Sequence, residues 1–232
     1  MSTEKQIETM FKAGVHFGYS KTRRHPSTKP YIFNTKNGID IINIEKTAEM
    51  FESLKAHVAN LAQAGKIIMF VGTKSEARQS ITETALALNM PYVNERWVGA
   101  TLTNFPEIKK RIAKLLDLRE QKQNGGLEKY TKKERLLIER EMDDMTRNFS
   151  GITGMLRMPD VLFVIDPKKE HIAVTEAHKM NIPVIGILNT DSNVKDVEFP
   201  IVANDGSSSS IAFFAEEIKK AYRDGARGEE VK

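Results

Sequence analysis

Apolar residues along this chain follow two alternating rhythms. Continuous runs at KIIMFVG (66–72), DVLFVID (160–166) and IPVIGIL (182–188), with a shorter PYVN (91–94), suit strands buried on both faces of a sheet. Between and around them, apolar positions recur at helical spacing over 45–64, 75–89, 170–180 and 207–224. Strands separated by helices predict an α/β fold whose parallel sheet is covered by helices on both faces.

Ahead of this core, Ile7, Met10 and Phe11 mark a short amphipathic helix over 5–14 that stops at Gly14. GYSKTRRHPSTKP (18–30) has two prolines, concentrated positive charge and no periodicity, and reads as an extended loop. YIFNTKNGIDII (31–42) alternates through Asn37-Gly38, a strong β-hairpin signal. The interval from Pro106 to Phe149 breaks the core rhythm. Ile108, Ile112, Leu115 and Arg119 outline one helix, and Ile138, Met142, Met145 and Phe149 outline a second at heptad spacing. Asn124-Gly125-Gly126 separates them, and Thr131 with Glu134 forms a capping box for the second. Each stripe is wide enough only for a partner helix, so this antiparallel pair is expected to project from the core. The resulting division is an N-terminal helix, loop and hairpin (1–44), a core (45–106 and 149–225), a helical-hairpin insertion (107–148) and a short tail (226–232).

Composition changes this picture little. Of 232 residues, 40% are hydrophobic and 28% charged, enough apolar matter for a real core. A net charge of +4 favours an anionic partner without identifying it. The absence of cysteine excludes disulfides, thiolate nucleophiles and zinc–thiolate or iron–sulfur centres, and fits a cytoplasmic setting. No signal-like segment opens the chain and no apolar stretch approaches the ~20 residues of a membrane span. The expectation is a protein neither exported nor membrane-spanning.

Three places have chemistry to weigh. Gly72, Thr73 and Lys74 end a strand where a helix begins, a position that favours anions. The glycine patterns of nucleotide loops are absent, so a Thr73–Glu76 capping box is the preferred reading. NERWVGATLTNFPEI (94–108) carries the only tryptophan, Trp97, beside Arg96 and before Thr101, Thr103 and Asn104. Such cations, hydroxyls and amides donate to phosphate and 2′-hydroxyl oxygens, while a packed loop around a buried Trp97 explains the segment equally well. Asp166, with Glu170, His171 and Glu176 nearby, is the best enzyme candidate, but no positioned base or ligand set accompanies it. The five histidines form no zinc spacing.

Read in order, GVHFG (14–18), TKPYIFNTKNGIDIINIEKT (28–47), FVGTK (70–74), VNERWVGATLTNF (93–105), TKKE (131–134), PDVLFVID (159–166), EAHKMNIPVIGILNT (176–190) and AND (203–205) closely resemble the bacterial type of the small-subunit ribosomal protein two family. The resemblance spans nearly the whole chain. It implies a flavodoxin-like core with a coiled-coil hairpin, no enzymatic activity, cofactor or small-molecule substrate, and a place on small-subunit ribosomal RNA among neighbouring ribosomal proteins. It also implies, in many bacteria, docking of ribosomal protein one. With it, Lys21, Arg23, Arg24, Lys29 and Lys36 become candidate phosphate contacts. Arg96, Thr101, Thr103 and Asn104 form a second candidate set, assisted by Lys74 and Arg78. The chain departs from the family at Tyr19, at Arg24-His25-Pro26, at Asn189-Thr190-Asp191 and at 202–206, where relatives carry imidazole and carboxylates able to share a divalent ion. No metal is therefore expected.

Overall fold

The computed structural model of the chain describes residues 3–227. Five strands, β4 (Ile68–Val71), β5 (Tyr92–Val93), β6 (Val161–Ile165), β7 (Val184–Leu188) and β8 (Phe199–Val202), form a wholly parallel sheet in the order β5-β4-β6-β7-β8. The apolar runs had announced all but β8. That strand has only four residues and contains Pro200, which the sheet tolerates because β8 lies at its edge.

Successive side chains on a strand point to opposite faces, so the sheet divides the core in two. On one face Phe70, Phe163, Ile185 and Ile187 pack with Phe51 of α2 (Ile44–Gln63), Ile81 of α3 (Ser75–Leu88) and Phe214 of α7 (Ser208–Arg227). The other face sets Met69, Val71, Leu162 and Val164 against Phe105 and Leu115 of α4 (Phe105–Gln123), Phe149 of α5 (Lys132–Phe149) and Ala177 of α6 (His171–Lys179). The two helices α2 and α7 pass so closely that a Cβ on Gly225 would lie 2.4 Å from the Ala59 carbonyl oxygen. The expected tail begins inside α7, which runs to Arg227; residues 228–232 lie outside the described part.

The capping box at the start of α5 is present: Thr131 accepts from the Glu134 amide at 3.3 Å, and Glu134 accepts from the Thr131 amide at 2.9 Å. Packing of the helix pair differs from a stripe reserved for a partner helix. Ile108, Ile112, Leu115, Leu118, Met142, Met145 and Phe149 join the same apolar cluster as the sheet. Buried positions in α5 begin only at Met142; ahead of it Ile138 packs, partly buried, against that cluster.

N-terminal to the core, α1 (Thr3–Lys12) leads into an antiparallel sheet ordered β1-β3-β2, with β1 (Phe17–Ser20), β2 (Ile32–Lys36) and β3 (Ile39–Ile42). Asn37 and Gly38, at φ 52° and 77°, make the expected two-residue turn. Residues 18–30, expected as an extended loop, instead contribute β1 and two 3-10 turns, Lys21–Arg23 and Pro26–Tyr31. Local pattern missed this because β1 pairs with a strand some twenty residues away and is fixed by the core rather than by its own alternation. The anchor is Thr190 beyond β7. Its hydroxyl accepts from the Tyr19 amide (3.0 Å), and its carbonyl accepts from the His25 amide (2.8 Å) and the Thr28 hydroxyl (2.9 Å). Gly18 is required here, since a Cβ would meet Thr190 Cγ2 at 2.7 Å.

Arg24 belongs to this framework. Its Nε donates to Asp40 Oδ2 at 2.7 Å and its Nη2 to Asp40 Oδ1, with Thr35 as a further partner at 2.8 Å. Asp40 is fully buried, and the Arg24 guanidinium holds its carboxyl below the ordinary range against the opposing effect of burial. Arg24→Ala leaves that carboxylate unpaired and is expected to cost about 3–5 kcal/mol in denaturant unfolding. Exposed Lys21→Ala is expected to change stability by less than about 0.5 kcal/mol. Equal, small effects of the two substitutions would contradict the assignment.

Candidate nucleic-acid interface

Open parallel sheets bind ligands where the strand order reverses, at the carboxyl ends of the strands. Here that point lies between β4 and β6, and side chains fill it. Lys74 Nζ lies 2.6 Å from Asp166 Oδ2 and 3.0 Å from Asp205 Oδ2, while Asn189 donates to Asp205 Oδ1 at 3.1 Å. Burial pushes the Asp205 carboxyl up to about 6, aided by the charge of Asp166 and opposed by Lys74. For Lys74, burial pulls downward, but Asp205 and Asp166 outweigh it and the ammonium is held more firmly than usual.

The expected Thr73–Glu76 capping box is not formed. Lys74 is the N-cap of α3 and makes no side-chain cap bond, and Thr73 instead donates its amide and hydroxyl to Glu170. A carboxylate brought from across the sheet outcompeted the local one. Of the two assisting candidates, Lys74 is drawn inward, 13% exposed between its carboxylates, whereas Arg78 keeps 43% of its side chain exposed while reaching Glu95 at 3.0 Å.

The Arg96–Phe105 segment is organised by one buried carboxylate. Glu176 Oε1 accepts from Trp97 Nε1 (3.1 Å) and the Ala100 amide (2.7 Å); Oε2 accepts from the Leu102 amide (2.9 Å), the Thr103 amide (3.2 Å) and the Thr103 hydroxyl (3.3 Å). Ala100 is held at φ 68°, a left-handed conformation uncommon for a residue with a Cβ. Of the two readings of this loop, its interior follows the packed one: Trp97 is buried, and Thr101 is buried with its hydroxyl on the Val98 carbonyl. Arg96, Thr103 and Asn104 stay on the outside. Sequence reasoning had placed Glu176 among possible catalytic acids; its role as loop organiser depends on a contact across more than seventy residues.

The remaining candidate cations lie in the N-terminal segment: Lys21 and Arg23 in the first 3-10 turn, Lys29 in the second and Lys36 at the end of β2. Lys21, Arg23, Lys29 and Lys36 are all exposed, and none forms an ion pair among the described residues. The Arg23 guanidinium lies 5.6 Å from the Tyr19 ring centre. The Thr190 anchor and the Arg24–Asp40 pair hold the backbone that carries them.

Two measurements probe this framework. Glu176→Gln turns amide hydrogens toward backbone donors and is expected to cost about 3 kcal/mol or more, with Trp97 emission shifting to the red as water reaches the indole. An unchanged unfolding midpoint would sink the loop-organiser role. For Asp205, the folded carboxyl titrates near 6, above its ordinary 3.8. Its stabilisation is therefore complete below about pH 4 and is lost as pH rises through about 6. Relative to Asp205→Asn, the unsubstituted protein is expected to lose on the order of 1–3 kcal/mol between pH 4 and pH 7.5. A pH-independent difference would refute it.

Comparison with known proteins agrees with the motif order. The family model described as Ribosomal protein S2 matches residues 10–225. A relative from Geotalea uraniireducens (strain Rf4), named small ribosomal subunit protein uS2, is 40% identical over 226 residues, covering 97% of this chain and 88% of its own. One of the same name from Sulfurimonas denitrificans is 41% identical over 219 residues, covering 94% and 85%. With the family pattern matched across both the N-terminal sheet and the α/β core, and relatives aligned over nearly their full lengths, the chain belongs to the ribosomal protein S2 family.

Proposed function

We propose that this chain is a structural, non-catalytic constituent of the small ribosomal subunit that holds ribosomal RNA against its N-terminal sheet and the Arg96 loop. The observation that carries the reading is the exposed set Lys21, Arg23, Lys29 and Lys36, unpaired among the described residues and carried by β2 and the two 3-10 turns of a segment pinned to the core. Exposed cations on a fixed backbone suit phosphate contacts, which set register without reading bases. Arg96, Thr103 and Asn104 supply a second, smaller contact, assisted by the half-exposed Arg78, while Arg24, Lys74 and Thr101 act from within by keeping the two surfaces in place.

The finer architecture fits the same reading. The strand order, with its single reversal, supports a flavodoxin-like core. Residues 107–148 form a coiled-coil hairpin inserted into a core of 45–106 and 149–225, its outer half projecting. The absence of buried positions before Met142 in α5 supports this, as do cross-helix pairs of Lys114 with Glu141 and Lys122 with Glu139. Exposed Leu116, Leu136 and Leu137 on that hairpin favour contact with neighbouring small-subunit proteins; docking of ribosomal protein one and a cytoplasmic ribosome complete the expectation.

Binding of the isolated protein to small-subunit ribosomal RNA is expected to weaken with salt at a log–log slope of roughly −3 to −4. Replacing Lys21 and Arg23 together by Ala should reduce that slope by about 2. A flat profile, or failure of the chain to co-sediment with the small subunit on a sucrose gradient, would reject the proposal.

A further inference from the structure

A cleft of about 760 Å³ opens between the Arg96 loop and the helix pair α4/α5. Its volume falls within the roughly 300–1,000 Å³ of small-ligand sites. Arg96, Trp97, Arg111, Asp144 and Asn148 all line it. Lys114 and Glu141, also in the wall, neutralise each other across the helices. By contrast, Arg96, Arg111 and Asp144 have no ion-pair partner within 4.0 Å among the described residues, and the Asn148 side chain has no hydrogen bond among them. Two guanidinium groups and a carboxylate thus face one cavity without meeting.

Opposite charges held apart around a common space match a ligand that carries both an anion and N–H donors. A nucleotide is such a ligand. Guanidinium groups take phosphate oxygens in bidentate fashion, and a carboxylate accepts from the amino edge of a base. Bases splayed out of single-stranded RNA are read in this way, because their Watson–Crick edges are free. We propose that this cleft holds one unpaired ribonucleotide, its phosphate on Arg96 and Arg111 and its amino-bearing base on Asp144 and Asn148. Guanine fits best, since N1–H and N2–H meet the two oxygens of one carboxylate. Uracil offers a single N–H between two carbonyls, which Asp144 repels. This deepens the RNA-binding reading above and rests on it: the second contact surface reads a base as well as holding backbone.

Trp97, the only tryptophan, lines the cleft and reports on it directly. The full chain is titrated with 5′-GMP, 5′-UMP and inorganic phosphate while Trp97 emission is followed. GMP is expected to give a saturable change, with UMP about tenfold weaker, a difference of about 1.4 kcal/mol. Arg111→Ala should weaken both nucleotides about tenfold, and Asp144→Asn should erase the preference for GMP. Both residues are exposed, so the fold is expected to survive, as far-ultraviolet circular dichroism will check. No saturable response to GMP, an equal response to phosphate, or a preference that survives Asp144→Asn would overturn the proposal. If GMP fails while the unsubstituted protein still binds ribosomal RNA with a steep salt dependence, the cleft proposal falls alone; if the salt profile is also flat, both readings fall.

Discussion

The carboxylate of Glu176 is the group on which the outer half of this protein depends. A buried charge is costly unless donors surround it, and Glu176 recruits its donors from one irregular segment, Trp97 to Thr103. In satisfying that charge, the segment acquires a fixed path through a left-handed Ala100 and delivers the chain to the start of α4. The position of Arg96, the direction of the helix pair and the cleft between them all follow from that path.

A related solution operates at the strand ends. In many open α/β proteins this point receives a ligand. Here an ammonium sits between two carboxylates, Thr73 is bound to Glu170, and Tyr19 of the N-terminal sheet lies beside them through its bond to Thr190. Internal pairs occupy that point. On the outside of the N-terminal segment, Lys21, Arg23, Lys29 and Lys36 have no ion-pair partner among the described residues. Buried charge holds the scaffold, and these exposed cations take no part in it.

Much of this was legible from the residues alone, and the reasons differ from element to element. β4, β6 and β7 are apolar on both faces, so their runs declare them; α5 announces its start because Thr131 and Glu134 satisfy each other locally. β8 and β1 were not legible. Their pairing partners lie elsewhere in the chain, and neither carries a pattern of its own. The candidate site divides along the same line. Lys21, Arg23, Lys29 and Lys36 are as accessible as their setting suggested, whereas Arg24, Lys74 and Thr101 looked identical in sequence and are engaged internally.

The sequence by itself determined the α/β rhythm, the two helices between β5 and β6 and, through the ordered motifs from GVHFG to AND, the family. These are properties of local spacing and of residue order, which need no knowledge of neighbours. Only the tertiary structure decided which charges are buried and which are free. The pairs that settle it, Arg24 with Asp40, Lys74 with Asp205 and Glu176 with the Trp97 loop, span from 16 to 131 positions, and a charge's role is set by the solvent and partners it meets after folding.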